Sequence, residues 1–271
     1  MMVMLNSGAV MPQLGFGCMI PAAHTTAAVS RAIKVGYRSL DTATDYANEV
    51  EVGRAIAAAD VPRDALFVTT KLLNSEHGRE RTLRAFEASL QALGLEQVDL
   101  YLIHWPVPTR DLYVETWRAL VELATDGRAR AIGVSNFQIP HLERIIDETG
   151  VVPVVNQIEL HPLLQQRELR DFHARAGIVT EAWSPLAQGL ALASPVVAEI
   201  AERHERSPGQ IVLRWHLQLG SVVIPKSVTP ARIAENFAVR DFELDEHEMD
   251  QLRALEAGTR TGPHPDTFVE D

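Results

Sequence analysis

Val98-Asp99-Leu100-Tyr101-Leu102-Ile103-His104 is an almost unbroken apolar run that ends on a titratable side chain. A strand with one wet face alternates apolar and polar residues. A run that is apolar at nearly every position suits a strand covered on both faces, as in a parallel sheet. Working outward, similar runs precede it at 13–17 (QLGFG), 38–41 (RSLD) and 66–71 (LFVTTK). Others follow at 131–135 (AIGVS), 154–160 (VVNQIEL), 178–183 (IVTEAW) and 221–226 (SVVIPK). Helical periodicity fills the gaps: Leu83, Phe86, Leu90 and Leu93 share one face, as do Trp117, Leu120, Val121 and Ala124. Ser207-Pro208 and Thr229-Pro230 each set an N-cap hydroxyl before a helix-opening proline. Eight strands alternating with helices predict an α/β fold, a (β/α)8 barrel. A doubly wound open sheet fits less well, because Gly15 and Gly17 lack the third glycine of a G-x-G-x-x-G turn. Residues 3–12, with Asn6-Ser7-Gly8 between apolar residues, predict an N-terminal β-hairpin that plugs one end of the barrel. Residues 245–256 predict an extra C-terminal helix followed by a tail.

The chain has 271 residues, is 46% hydrophobic and shows no linker-like stretch, so residues 1–271 are expected to form a single domain. A formal net charge of −11 with scattered basic residues makes nucleic acid a poor partner. With Cys18 alone, no intrachain disulfide can form, which is compatible with a cytoplasmic location. The apolar start Met1–Leu5 is too short to be expected to act as a signal peptide. No apolar run approaches the ~18 residues of a membrane span.

In such a barrel the chemistry sits at the C-terminal strand ends. Three successive ends carry titratable groups: Asp41 with nearby Tyr46, then Lys71, then His104. Taken singly, a strand-end lysine is usually solvated and a histidine beside Trp105 is usually structural. Jointly, strands about 4.8 Å apart bring them to one pocket. A phenol near pKa ~10 is a slow acid at neutral pH. A neighbouring ammonium lowers that value and a carboxylate holds the ammonium in place. An imidazole can polarise a carbonyl oxygen. Tyr46 as proton donor, Lys71 as tuner, Asp41 as its partner and His104 as polariser would make a carbonyl-protonating site. No metal is expected, since no metal-ligand spacing occurs. A hydride source is then needed. Ser135, Asn136 and Gln157 suit a carboxamide, and Trp183 offers a flat face. Lys226, Ser227 and Arg232 follow strand eight, where barrels bind phosphate.

The segment 41–53, DTATDYANEVEVG, resembles the aldo-keto reductase signature. TTK (69–71), LIHWP (102–106), GVSNF (133–137), VNQIELHP (155–162) and IPKSVTPARIAEN (224–236) follow in the order of that superfamily. EAWSPLAQG (181–189) is most similar to its bacterial 2,5-diketo-D-gluconate reductase branch. The resemblance spans about residues 3–245. It implies NADPH as cofactor, Tyr46 as general acid, and Asp41, Lys71 and His104 in the roles above. It further implies Ser135, Asn136 and Gln157 on the nicotinamide carboxamide, with Trp183 stacked on the ring. Ser184, Leu186 and Gln188 would line the pyrophosphate loop. Ile224, Lys226, Ser227 and Val228, with Arg232, Glu235 and Asn236, would hold the adenosine end. Met19 and Leu73 replace the aromatic residues common in relatives, whereas Trp105 keeps its ring, so these three border a substrate pocket of its own character.

The leading expectation is reduction of small-molecule aldehydes and ketones, with small dicarbonyls or keto-sugars favoured, by a cytoplasmic monomer with no membrane partner. A cofactor-sensing regulatory subunit of the same fold, as in potassium channels, is the alternative; a metal- or phosphate-dependent barrel hydrolase or isomerase is more remote. Trp117, Trp215, Phe86 and Phe237 read as core, His161 as structural and Asp45 as a loop carboxylate. The acidic stretch 241–250 reads as a solvated helix start. Arg260 and His264 either close over the pocket or lie exposed.

Overall fold

In the computed structural model, which describes residues 1–269, the eight apolar runs become eight parallel strands. A hairpin of β1 (Met2–Met4) and β2 (Val10–Pro12) comes first. The barrel strands are β3 (Phe16–Gly17), β4 (Ser39–Asp41), β5 (Phe67–Leu72) and β6 (Leu100–Ile103). They continue as β7 (Ile132–Ser135), β8 (Val155–Glu159), β9 (Val179–Trp183) and β10 (Val222–Val223). Each pairs in parallel with the next. The sheet closes where Leu14 bridges Val223, with Gly15 N donating to Val223 O at 2.9 Å and Gly17 N to Pro225 O at 3.1 Å.

The two strands at this seam are shorter than their apolar runs, because much of the closing contact is an isolated bridge rather than a ladder. Gly17 explains how the backbones approach. A Cβ there would lie 2.8 Å from the Ile224 carbonyl oxygen, closer than real contacts allow. The glycines that failed as a dinucleotide fingerprint are thus used to shut the barrel.

The hairpin turns through Leu5 N to Ala9 O at 2.8 Å and Gly8 N to Leu5 O at 2.9 Å. Leu5 and Met11 bury against Phe67, Leu100, Val155 and Val222, the first residues of their strands. The hairpin therefore plugs the N-terminal end and leaves the opposite end open.

Helices α1 (Ala22–Val35), α2 (Glu49–Ala57), α3 (Arg79–Leu93), α4 (Tyr113–Thr125), α5 (Ile139–Thr149) and α6 (Arg167–Ala176) follow the strands in turn. Then come α7 (Pro195–His204), α8 (Pro208–Gln218), α9 (Pro230–Phe237) and α10 (Glu246–Arg253). Helix α10 is the extra helix expected from the sequence. Asp245 caps it, accepting from Glu248 N at 2.8 Å while Glu248 Oε2 accepts from Asp245 N at 3.0 Å. Helix α7 is a second addition that periodicity did not single out. Its Val197 and Ile200 share a satellite core with Val212 and Trp215 of α8 and Leu252 of α10.

Ser207 caps α8 as expected, accepting from Gln210 N at 3.3 Å. Thr229 makes no side-chain cap for α9; its backbone N–H donates to Ser227 Oγ at 3.1 Å. Trp117, Trp215 and Phe86 are core residues. Phe237 is only half-buried, packed on Tyr37 at 4.8 Å between ring centres. Among the described residues no helix is long and apolar enough to cross a membrane.

Because the obstacle at Gly17 is backbone, little can move aside for a larger residue. Gly17→Val is expected to destabilise the fold by at least about 2 kcal/mol, whereas Glu96→Val on an exposed turn costs under about 0.5 kcal/mol. Urea unfolding of both variants checks this.

Candidate active site

The open end gathers the four titratable residues. Asp41 ends β4 and Lys71 lies in β5, with Asp41 aligned to Thr69 in the ladder. The Lys71 ammonium sits 2.5 Å from Asp41 Oδ1 and donates to Thr42 O at 2.9 Å. It also reaches Tyr46 Oη at 3.3 Å. Neither side chain of the ion pair is more than 2% exposed. Tyr46 closes a short 3-10 turn, Thr44–Tyr46, which is held to α3 by a hydrogen bond of 3.1 Å between Thr44 Oγ1 and Ser89 Oγ. The Tyr46 and His104 rings meet edge to face, 5.9 Å between centres.

Burial opposes the Lys71 charge, but Asp41, Tyr46 and Glu181 outweigh it and hold its pKa above the ordinary lysine range. Burial pushes the Tyr46 phenol up, and the Lys71 ammonium pulls it only part of the way back. The sequence reading expected the ammonium to prevail; desolvation wins instead, so the phenol keeps its proton at neutral pH. Burial and the Lys71 charge together hold His104 well below the usual histidine range, so its ring is neutral.

The later strand ends form one connected set beside this group. Ser135 Oγ and Asn136 N both donate to Gln157 O, at 2.8 and 2.9 Å. The Trp183 indole N–H donates to Asn136 Oδ1 at 2.8 Å, and Asn136 Nδ2 donates to His104 O at 3.0 Å. Asn136 takes φ 63°, a left-handed conformation that asparagine tolerates better than most residues. Gln157 Nε2 donates to Asp41 Oδ2 at 2.8 Å and to Glu181 Oε2 at 2.9 Å, joining the two groups of residues.

Ser184, Ala187 and Gln188 follow β9 with φ of 46°, 51° and 54°. Leu186 lies within that loop, half-buried. Ala187, Gln188 and Gly189 form a left-handed run that folds the loop on itself, Ala187 N donating to Ser184 O at 2.8 Å and Gly189 N to Leu186 O at 2.9 Å. Beyond β10, Ser227 is buried, while Lys226, Val228 and Arg232 are exposed. Neither Lys226 nor Arg232 forms an ion pair among the described residues, so both charges are available to a ligand. Ile224 and Asn236 are buried, and Glu235 instead accepts from Ser207 Oγ at 2.5 Å.

These features fit a dinucleotide phosphate. A carboxamide-sized set of polar groups on β7 and β8, a flat indole at the end of β9, a left-handed loop and then unpaired cations beyond β10 follow one another around the rim. Among the described residues no cluster of three His, Cys, Asp or Glu side chains is placed to hold a metal.

Of the three pocket residues named from the sequence, Trp105 is nearly buried, Leu73 half-buried and Met19 64% exposed, so Met19 stands at the rim. The tail adds residues that sequence reading missed. Phe268 packs on Trp105 at 4.4 Å, and Trp105 lies 6.3 Å from Trp183. Thr261 donates to Glu159 Oε1 through N at 2.6 Å and Oγ1 at 2.7 Å. Arg260 lies 3.6 Å from Glu159 Oε2. His161, fully buried, donates through Nε2 to the same carboxylate at 3.1 Å. A Cβ at Gly262 would stand 2.5 Å from the Trp183 ring. The tail therefore crosses the mouth through Gly262 and Phe268; Arg260 anchors it from the side and His264 is exposed. Nothing in the sequence signals a contact such as Phe268 on Trp105. Glu181 did leave a signal, as a carboxylate inside an apolar run.

The aldo/keto reductase family model matches residues 13–257. An aldo-keto reductase of Mycolicibacterium smegmatis is 55% identical over 267 residues, covering 98% of this chain and 97% of that protein. The methylglyoxal reductase DkgA of Salmonella typhimurium is 53% identical over 269 residues, covering 98% and 97%. Among solved structures, a mutant of Gox0644 in complex with NADPH superimposes with a TM-score of 0.96 at 49% identity, covering 100% of this chain and 99% of that one.

Removing one member of a buried ion pair strands the other. Lys71→Met is expected to destabilise the protein by about 3–5 kcal/mol, while the double variant Asp41→Asn/Lys71→Met costs clearly less than the two single changes added together. Urea unfolding of the three variants tests the coupling.

Proposed function

The chain belongs to the aldo/keto reductase family, and from that premise we propose that it reduces small aldehydes and ketones, dicarbonyls above all, to alcohols with NADPH. The observation that carries the reading is the buried Lys71–Asp41 pair with its ammonium 3.3 Å from the Tyr46 hydroxyl.

NADPH, when bound, supplies the hydride. Trp183 stacks on its ring, and Ser135, Asn136 and Gln157 hold its carboxamide. Ser184, Leu186 and Gln188 flank its pyrophosphate. Ile224, Ser227, Val228, Glu235 and Asn236 surround its adenosine end, where Lys226 and Arg232 meet the 2′-phosphate. The neutral His104 ring donates a hydrogen bond to the substrate carbonyl oxygen and so favours charge building there. Tyr46 gives its proton to that oxygen. The phenolate left behind is stabilised by the Lys71 ammonium, whose charge Asp41 fixes in place, and is reprotonated from solvent. Burial that raises the phenol pKa suits this direction, because the acid is fully loaded before each turnover.

Trp105, Phe268, Leu73 and Met19 border the substrate. The Trp105 and Phe268 rings, packed at 4.4 Å where the tail crosses the mouth, favour small polar carbonyls over rigid bulky ones. The similarity to a methylglyoxal reductase supports the same substrate class. The residues form a single catalytic domain that acts in water as a monomer.

Loss of NADPH absorbance on adding methylglyoxal is the direct test. Tyr46→Phe is expected to lower kcat by about 10²–10⁴-fold while leaving the Kd for NADPH within about twofold of wild type. Steroid-sized ketones giving the highest kcat/KM would overturn the substrate class, and a Phe variant with more than a tenth of wild-type kcat would overturn the role of Tyr46.

The cofactor preference rests on the unpaired cations. An arginine fork grips a phosphate through two parallel donors. Arg232→Ala should weaken NADPH by roughly ten- to a hundredfold and NADH little, as titrations of both cofactors at low and high salt will show. Equal weakening of the two refutes a 2′-phosphate contact.

A further inference from the structure

Glu181 has no exposed surface and stands at the same ladder level as Gln157 on the next strand. Register partners in a parallel pair point to the same face, so both enter the barrel interior. Gln157 Nε2 spends its two hydrogens on Asp41 Oδ2 at 2.8 Å and Glu181 Oε2 at 2.9 Å. An amide nitrogen is the only end of that side chain that can serve two carboxyl oxygens. With the nitrogen turned inward, Gln157 Oε1 is left as the free end, with no partner among the described residues.

We propose that Glu181 is a positioning residue for the cofactor: it locks the Gln157 amide so that the oxygen faces the nicotinamide site and accepts from the carboxamide NH2. Asp41 alone would hold one of the two hydrogens and leave the amide free to swing. The second acceptor on the neighbouring strand makes the reversed orientation unfavourable, since it would set the amide oxygen against two carboxyl oxygens. The result is a site that requires a donor on the cofactor's carbonyl group.

Charge balance agrees with this assignment. The groups facing Glu181 are Asp41 from β4, Lys71 from β5 and Gln157 from β8. Burial, reinforced by the Asp41 charge, lifts the Glu181 carboxyl up to about 8. The ion pair thus faces a carboxyl whose charge is disfavoured, and Glu181 Oε1 has no hydrogen-bond partner, which leaves Oε2 as the atom that accepts from Gln157. Glutamine at 181 keeps an accepting oxygen without that charge.

The inference rests on the assignment of Gln157 to the carboxamide, and the test separates the two. Binding is followed by quenching of tryptophan fluorescence, with NADP+ and its 3-acetylpyridine analogue, in which a methyl replaces the carboxamide NH2. Wild type should prefer NADP+ by about two- to tenfold, the value of one neutral hydrogen bond. Glu181→Gln should keep that preference, and Glu181→Met, similar in length but a poor acceptor, should lose most of it by weakening NADP+ alone. A Met variant that discriminates as well as wild type overturns the role of Glu181. A wild type that binds neither dinucleotide overturns the function reading itself. Should the Met variant fail to fold, the wild-type apoprotein still decides: both side-chain amide protons of Gln157 should resist solvent exchange, and rapid exchange of the pair refutes the lock.

Discussion

Lys71 has no exposed surface, and its ammonium is held against Asp41 inside the open end of the barrel. Moving two such ions out of water costs several kcal/mol each, and their attraction repays this only when geometry and further hydrogen bonds are good. The surroundings supply both. Thr42 O and Tyr46 Oη take further ammonium contacts, and Gln157 occupies the second Asp41 oxygen. The pair is thus a constraint on three strands at once, β4, β5 and β8. The Lys71 charge also acts on its neighbours: it adds to the burial that holds His104 neutral, and it opposes the rise that burial and Asp41 give the Tyr46 phenol.

The two ends of the barrel divide the work. At the N-terminal end Leu5 and Met11 seal the interior with apolar contacts that carry no chemistry. At the other end the loops hold Ala47, Val107, Asn136, Ser184, Ala187 and Gln188 in left-handed conformations. Such residues cost about 1–3 kcal/mol each and persist only where the surroundings fix them. Their concentration beside the titratable cluster, and the sealing of the far end, place stability and reactivity on opposite faces of the same strands. The tail belongs to the reactive face. Glu159 and His161, buried beneath it, tie down Thr261, and Gly262 then lies against the Trp183 ring.

The sequence by itself determined the architecture and marked the four titratable residues that the barrel gathers at its open end. Unbroken apolar runs mark strands covered on both faces, and this signal is local, so all eight strands and the capped α10 could be read from it. Asp41, Tyr46, Lys71 and His104 stood out because strand ends in a barrel must converge. What local pattern could not supply was the balance of opposing effects and the contacts between distant segments. Whether burial or the Lys71 charge governs the Tyr46 phenol depends on how much water reaches it, a property of the assembled barrel. Helix α7 was missed because its apolar face matches α8 and α10 rather than the barrel. Gly17 suggested nothing until the seam brought the Ile224 carbonyl oxygen to it, and Phe268 nothing until the tail folded back on Trp105. Hydrophobic period is written residue by residue, whereas desolvation and long-range contact exist only once the chain has closed.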